Sequence, residues 1–353
     1  MRSLILPLAA TTLLLAITPS ANAVDLIVRR NSDQRDGGKL SKMTKTEVTV
    51  TKQVGGDTTV PVNEIAWIEF DGAPASMGLG RSALAAGQLD VAAEQLEQAL
   101  QESAGVDNPG LRGDLEFMAA KVLAVRGMTE PATAASAVQK LKDFVGKNRE
   151  HYRFYDAQLL LGYVALAAGD PATAVAAFTS VSTAPWKDYQ MAAQIGQGRT
   201  YLAQDNTDAA QREFDAVASV NADGAAQKAR RLEAMLGQAD CLHRKGQYQP
   251  AIEALDKVID ESTAADARLQ AEAYLLQGAC FTSMGANPKE AIMAYLHVDV
   301  IPAMSREADL HAEALYNLAR LWNQVGQQDR AREAADALRG QYPNSEWAKK
   351  LGG

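Results

Sequence analysis

Residues 155–181 read YDAQLLLGYVALAAGDPATAVAAFTSV. Two alanine-rich apolar stretches flank the turn Gly169-Asp170-Pro171, with Gly162 in the first stretch and Ala174 in the second. The pattern predicts two antiparallel helices that cross where side chains are small, because larger residues would push the helix axes apart. Phe178, one helical turn after Ala174, is expected to fill the space toward a neighbouring helix pair.

The same frame recurs along the chain, with an alanine after each turn and a partner residue four positions later. The spacings between successive alanines are 42, 40, 36, 41, 40 and 40 residues. A period of this size predicts a stack of about seven two-helix units, a mainly α solenoid and not one globular core. The alanines and their partners are Ala92 and Leu96, Ala134 and Val138, Ala174 and Phe178, Ala210 and Phe214, Ala251 and Leu255, Ala291 and Tyr295, and Ala331 and Ala335.

Across roughly residues 77–343 this pattern resembles the tetratricopeptide repeat family. The resemblance rests on Leu161-Gly162 in a first helix and on the Gly-x-x-x-x-Ala-x-x-x-Phe frame of Gly169, Ala174 and Phe178. Two features depart from the family pattern: the period is near 40 residues, where the family has 34, and the first-helix tryptophan is absent. A closing proline is clear only at Pro343.

The resemblance implies a partner-binding face on the concave side, lined by the first helix of each unit. Polar, aromatic and arginine residues on one face are what a peptide groove requires. The lysine and asparagine clamp that grips chaperone C-termini in this family is not reproduced. Transferred by register, the implied groove residues are Arg81, Tyr163, Arg199, Asp240, His243, Arg244, Tyr316, Arg320 and Asn323.

Residues 1–23 have the pattern of a cleaved export signal. Arg2 precedes an apolar run from Leu4 to Ile17, and Ala21-Asn22-Ala23 has the small-x-small form of a cleavage site. An uncleaved anchor is the alternative, but the run is shorter than the roughly 18–20 residues that span a bilayer. We expect a mature chain starting at Val24, without a further membrane span, in a periplasmic or extracellular space.

Residues 24–72 predict a small β segment. Strand patterns cover Asp25 to Arg30, Lys45 to Lys52, Thr58 to Val62 and the apolar residues from Ile65 to Phe70. The segment resembles the small Sm-like or SH3-like β modules that precede repeat arrays in some exported bacterial proteins. Two roles stay open: an association module, or a cap over the apolar end of the first unit.

The remaining boundaries follow from the repeats. Residues 73–343 form the predicted solenoid, and residues 344–353 form a short C-terminal capping helix containing Trp347. Cys241 and Cys280 occupy equivalent positions in successive first helices, which indicates buried thiols, with a disulfide as the alternative.

No catalytic, cofactor or metal site is indicated. The four histidines are scattered, and no nucleophile elbow, phosphate loop or zinc-protease motif occurs. With a net charge of -8 and no basic block, nucleic acid is not the expected partner.

These features favour a non-enzymatic, exported adaptor that binds a protein or peptide along a concave surface. The alternative is a structural part of a cell-envelope assembly or division complex, docked through the β segment. A catalytic or small-ligand role is the third hypothesis, and a tight pocket of converging polar groups would favour it.

Overall fold

A computed structural model describes residues 24–352 apart from residues 31, 53, 286 and 287. The predicted export signal, residues 1–23, lies outside this part of the chain. Within it, no helix is both long enough and apolar enough to cross a membrane.

The described chain begins with a five-stranded antiparallel sheet whose strand order is β4-β3-β2-β1-β5. A single 3-10 turn, Val62–Glu64, connects β4 to β5. The Sm-like or SH3-like resemblance stays a prediction. The strands are β1 (Asp25–Arg29), β2 (Arg35–Met43), β3 (Glu47–Thr51), β4 (Asp57–Pro61) and β5 (Ile65–Glu69).

Strand β2 was not predicted from the sequence. Its residues, RDGGKLSKM, lack the alternation and β-branched side chains of a typical strand. Its first half pairs with β1 and its second half with β3. At Gly38 a Cβ atom would lie 2.7 Å from the carbonyl oxygen of Thr51, so glycine permits a close backbone approach there.

The sheet and the first helices share one core. The buried cluster runs without a break from Ile27 and Ile68 in the sheet to Met77 and Leu111 in the helices. Phe70 is buried, and its ring lies where a side chain on Gly110 would have to fit. The sheet therefore covers the apolar end of the helical array.

In the part of the chain that the structure describes, fourteen helices follow as seven antiparallel pairs, and the predicted solenoid with its small β segment is confirmed. The short helix α15 packs on α13 and α14, and Trp347 lies 5.2 Å from the ring of Tyr316. The helices are α1 (Ala75–Ala85), α2 (Leu89–Glu102), α3 (Pro109–Thr129), α4 (Pro131–Lys147), α5 (Phe154–Ala167), α6 (Pro171–Ser182), α7 (Lys187–Ala203), α8 (Thr207–Ala218), α9 (Gly224–Arg244), α10 (Tyr248–Glu261), α11 (Ala267–Ser283), α12 (Pro288–Val300), α13 (Ala308–Gln324), α14 (Gln328–Gln341) and α15 (Glu346–Gly352).

The partner residues of the frame pack against small residues of the first helices. Phe178 on α6 is fully buried between two glycines, Gly162 on α5 and Gly196 on α7. A Cβ atom built on either glycine would lie 2.4 Å from the Phe178 ring. The aromatic ring therefore fixes how closely two successive first helices approach.

Several turns within units contain a residue in the left-handed region of backbone conformation. Glycines in the left-handed region close several of them, for example Gly169 at φ 71°. In the fourth unit Asp205 takes this conformation at φ 57°. Asn206 then accepts a hydrogen bond from the amide of Ala209 and caps α8.

The array curves until its seventh unit meets its second. Helix α13 contacts α3, five units earlier in the chain. The side-chain amide of Asn344 also donates to Glu130 at 3.4 Å. The solenoid is thus a strongly curved structure with a narrow interior.

We expect Ala174→Leu to lower the free energy of unfolding by about 1–3 kcal/mol, because Ala174 is fully buried and a larger side chain would overpack the crossing. Ala172→Leu is the matched control, since Ala172 is exposed on the same helix. Thermal denaturation of both variants is the measurement, and equal melting temperatures would contradict the register.

Gly196→Ala should also destabilise the protein, by an amount on the order of 1–3 kcal/mol, because the added Cβ collides with the Phe178 ring. Gly146→Ala serves as control: a Cβ there meets nothing within 4 Å, so alanine should stabilise helix α4 slightly. Urea titration of the two variants would reveal the difference, and a stabilised Gly196→Ala variant would refute the packing argument.

Candidate partner-binding groove

The first helices face the interior of the curve. Helices α3 and α13 are both first helices, and they contact each other where the array closes. Successive first helices also pack against one another, as α5 does on α7 and α7 on α9. The concave surface of the solenoid is therefore made by first helices.

Three cavities of about 420, 400 and 240 Å³ lie along this surface. The first two share Leu166, Arg199 and Glu272, and the first and third share Met128 and Asp309. Because they share these lining residues, the three cavities adjoin one another, and together we call them the inner groove. It runs past α5, α7, α9, α11 and α13.

Four of the predicted groove residues line the inner groove: Tyr163, Arg199, Asp240 and Arg244. The guanidinium of Arg199 lies 5.6 Å from the centre of the Tyr163 ring. Arg244 pairs with Asp240 at 3.0 Å and donates to the carbonyl oxygen of Leu202 at 3.1 Å. Arg244 thereby joins α9 to the end of α7.

The other five predicted residues do not line these three cavities. Arg81 lies over the Trp67 ring at 5.1 Å, at the junction with the sheet. His243 lies between the Tyr248 ring and Ser283. The remaining three are near the C-terminus, where Arg320 lies over Tyr316, Tyr316 packs on Trp347, and Asn323 accepts from Gln328.

The sequence interpretation missed most of the charged residues of the inner groove. These residues lie about two helical turns before the positions chosen from the family register. The sequence did contain a periodic signal. In four first helices an acidic residue lies six positions before the glycine or alanine that packs at the helix crossing. The missed residues are Arg230, Glu233, Arg268, Glu272, Asp309 and Glu313.

An ion-pair lattice connects the helices across the inner groove. Arg199 on α7 reaches past α9 to Glu272 on α11, with 2.8 Å between Nη2 and Oε2. Glu272 also accepts from Arg268 on its own helix at 3.2 Å. Arg268 in turn binds both carboxylate oxygens of Asp309, at 3.0 and 2.7 Å. The lattice joins helices that are one and two units apart.

The surroundings of Arg199 and Arg268 favour the charged guanidinium. The nearby charge of Glu272 raises the pKa of Arg199. Burial favours neutral Arg268, but the hydrogen bonds and charges of Asp309, Glu272 and Glu307 together outweigh burial and raise the pKa of Arg268. Burial raises the pKa of Tyr163, so its hydroxyl remains a hydrogen-bond donor.

Glu313 differs from the other carboxyls of the inner groove. It has no ion-pair partner among the described residues, and it lines both the 400 and the 240 Å³ cavities. Burial, together with the charges of Asp309 and Glu346, raises the pKa of Glu313 to about 7.

A second polar cluster, at the junction of the sheet and the helices, is more deeply buried. Arg153 binds Asp114 at 2.9 Å and Asp156 at 3.2 Å. Asp156 also accepts from Arg30, directly after β1, at 2.9 Å and from Tyr189 on α7. Burial favours the neutral carboxyl, but Arg30 and Arg153 lower the pKa of Asp156. This cluster joins the sheet to the second, third and fourth units.

The two cysteines are free and buried. Burial raises the pKa of both thiols to about 11. They are therefore thiols at physiological pH, and their reactivity is low.

Comparison with protein-family models matches two models described as tetratricopeptide repeat. One matches residues 71–110, 134–187 and 195–267, and the other matches residues 313–345. Together the matches cover more than half of the chain. No curated protein matches the sequence significantly.

Solved structures give the same fold at low sequence identity. A tetratricopeptide repeat protein from Parabacteroides merdae matches with a TM-score of 0.50 and 17% identity, covering 78% of this chain and 96% of that one. A Rap protein complexed with competence and sporulation factor matches with a TM-score of 0.52 and 16% identity, covering 77% and 74%.

We expect Glu313→Gln to change how stability depends on pH. Since the folded carboxyl keeps its proton up to about pH 7 while the unfolded one ionises near 4.5, stability falls as pH rises through this window. The variant cannot ionise, so its melting temperature should exceed that of the wild type at pH 8. The difference should vanish near pH 4.

Melting curves at several pH values test this, with Glu97→Gln on the exposed face of α2 as the control. A Glu313→Gln variant that is less stable than the wild type at pH 8 would contradict the assignment.

Proposed function

Because the chain belongs to the tetratricopeptide repeat family, a family of protein-interaction scaffolds, we propose that it is an exported adaptor whose inner groove binds a segment of a partner protein. The groove presents apolar walls, such as Leu166 and Leu202, beside charged side chains held by the ion-pair lattice. Side chains held in place lose little conformational entropy when a partner docks.

The observation that carries this proposal is the continuity of the inner groove. Its three cavities connect through shared residues and extend past five successive first helices. A continuous depression suits an extended polypeptide, whereas an enzyme site is usually one concave pocket with a few converging groups.

The export part of the proposal rests on residues 1–23. Their basic start, apolar run and small-x-small end are typical of a cleaved signal. The adaptor would then act in a periplasmic or extracellular space.

A second candidate function is a structural role in an envelope assembly, docked through the sheet. One observation favours it: a cavity of about 890 Å³ lies between β2, the start of α3 and the loop before α5. Deleting residues 24–72 cannot test this role cleanly, because the sheet shares a core with the first helices. A local probe in this cavity is needed.

We therefore expect a photo-crosslinking residue in the inner groove to capture a partner in the native envelope. Suitable sites are Ala203 on α7 and Ala279 on α11, which both line the groove. Val175, exposed on the second helix α6, is the matched control on the outer side. Lys39, in the cavity beside the sheet, tests the alternative.

Mass spectrometry of the adducts separates the two functions. Adducts of one partner protein at Ala203 and Ala279, without adducts at Val175, support the adaptor. Adducts at Lys39 alone would favour the assembly role and overturn the adaptor.

A further inference from the structure

In the 420 Å³ cavity of the inner groove, the hydrogen-bond donors outnumber the acceptors that they contact. Arg199 and Arg230 line it, and each donates to a single carboxylate in the described part of the chain. A guanidinium carries five N–H donors. The hydroxyl of Tyr163, on the same cavity, forms no hydrogen bond among the described residues. An acceptor-rich group would satisfy these donors.

The ion pairs of the cavity are not equivalent. Glu272 has two partners, Arg199 at 2.8 Å and Arg268 at 3.2 Å. Among the described residues, Arg199 pairs with Glu272 alone. Glu233, the other carboxylate whose charge acts on Arg199, is paired with Arg230 at 2.6 Å.

Because Glu272 has two ion-pair partners and Arg199 has one, the cavity suits a negatively charged ligand better than a positively charged one. A carboxylate that takes Arg199 leaves Glu272 paired with Arg268, so no charge is left unpaired. A cation that takes Glu272 would leave Arg199 without a carboxylate, and an uncompensated charge in a partly buried site is costly.

The side chains are accessible enough for such an exchange. The Arg199 side chain is 33% exposed and that of Arg230 is 31% exposed. Apolar walls from Met128, Leu166 and Leu269 surround them. An ion pair with a ligand would therefore be less screened than one on the open surface.

Resting on the proposed adaptor function, we propose that this cavity receives an acidic side chain from an extended segment of the partner protein. Arg199, Arg230 and Tyr163 bind the carboxylate, which replaces Glu272 on Arg199. Because both other cavities of the groove adjoin this one, the acidic residue lies within a passing chain and not at its end.

The test measures binding of a fluorescent, end-capped hexaglutamate peptide to the purified protein by anisotropy at low salt. The protein carries a net charge of -8, so an acidic peptide is repelled elsewhere. Capped hexalysine and hexaglutamine peptides are the ligand controls.

Two variants should act in opposite directions. Glu272→Gln removes the internal competitor and should tighten hexaglutamate binding, whereas Arg199→Gln should weaken it, each by about three- to tenfold. Glu261→Gln is the matched control, because Glu261 pairs with Arg231 at 2.6 Å between α9 and α10, outside the groove residues. It should leave binding unchanged.

Tighter binding in Glu272→Gln, with an unchanged control, supports the proposal even if Arg199→Gln fails to fold. Unchanged or weaker binding in Glu272→Gln, or a preference for hexalysine, overturns it. Crosslinks at Ala203 without hexaglutamate binding would refute only the acidic-segment inference. Hexaglutamate binding without such crosslinks would refute only the adaptor.

Discussion

The contact on which the rest of the solenoid depends is an aromatic ring held between two glycines. Phe178 lies between Gly162 and Gly196, and Phe214 lies in the same way between Gly198 and Gly237. In each case one glycine belongs to the same unit and the other to the next, so a single side chain sets the distance between successive first helices. Repeated along the array, this spacing helps set the curvature that brings Arg199 within reach of Glu272, two units away.

The sequence predicted the elements of this contact but not its full geometry. The spacing of alanines and partners predicted the helix pairs, since each pair is a local structure with its own turn. The second glycine of the contact, Gly196, belongs to the next unit. Its role, to leave room for the Phe178 ring, is visible only in the packing of the folded chain. Strand β2 was missed because its pairing, not its composition, makes it a strand. For the inner groove, the family register placed Arg81 on the concave face, whereas the sheet that covers the first unit holds it against Trp67.

The two charged clusters of the molecule use similar residues in different environments. At the junction, Asp114 is fully buried and the Arg153 side chain is only 10% exposed, so their pairing joins the sheet to the helices. In the inner groove, Arg199 and Arg268 remain 33% and 42% exposed, and water or a ligand can reach them. A buried pair mainly specifies one arrangement of the chain, whereas a half-exposed pair can exchange partners.

The meeting of α13 with α3 changes how the whole array gains its stability. In an open solenoid each unit contacts only its neighbours, and terminal units unfold independently of distant ones. Here the seventh unit also contacts the second, and Asn344 reaches Glu130. Loss of the last unit therefore removes contacts from the start of the array as well as from its end. Fraying of the C-terminal end is thus opposed by contacts with a unit near the start of the array.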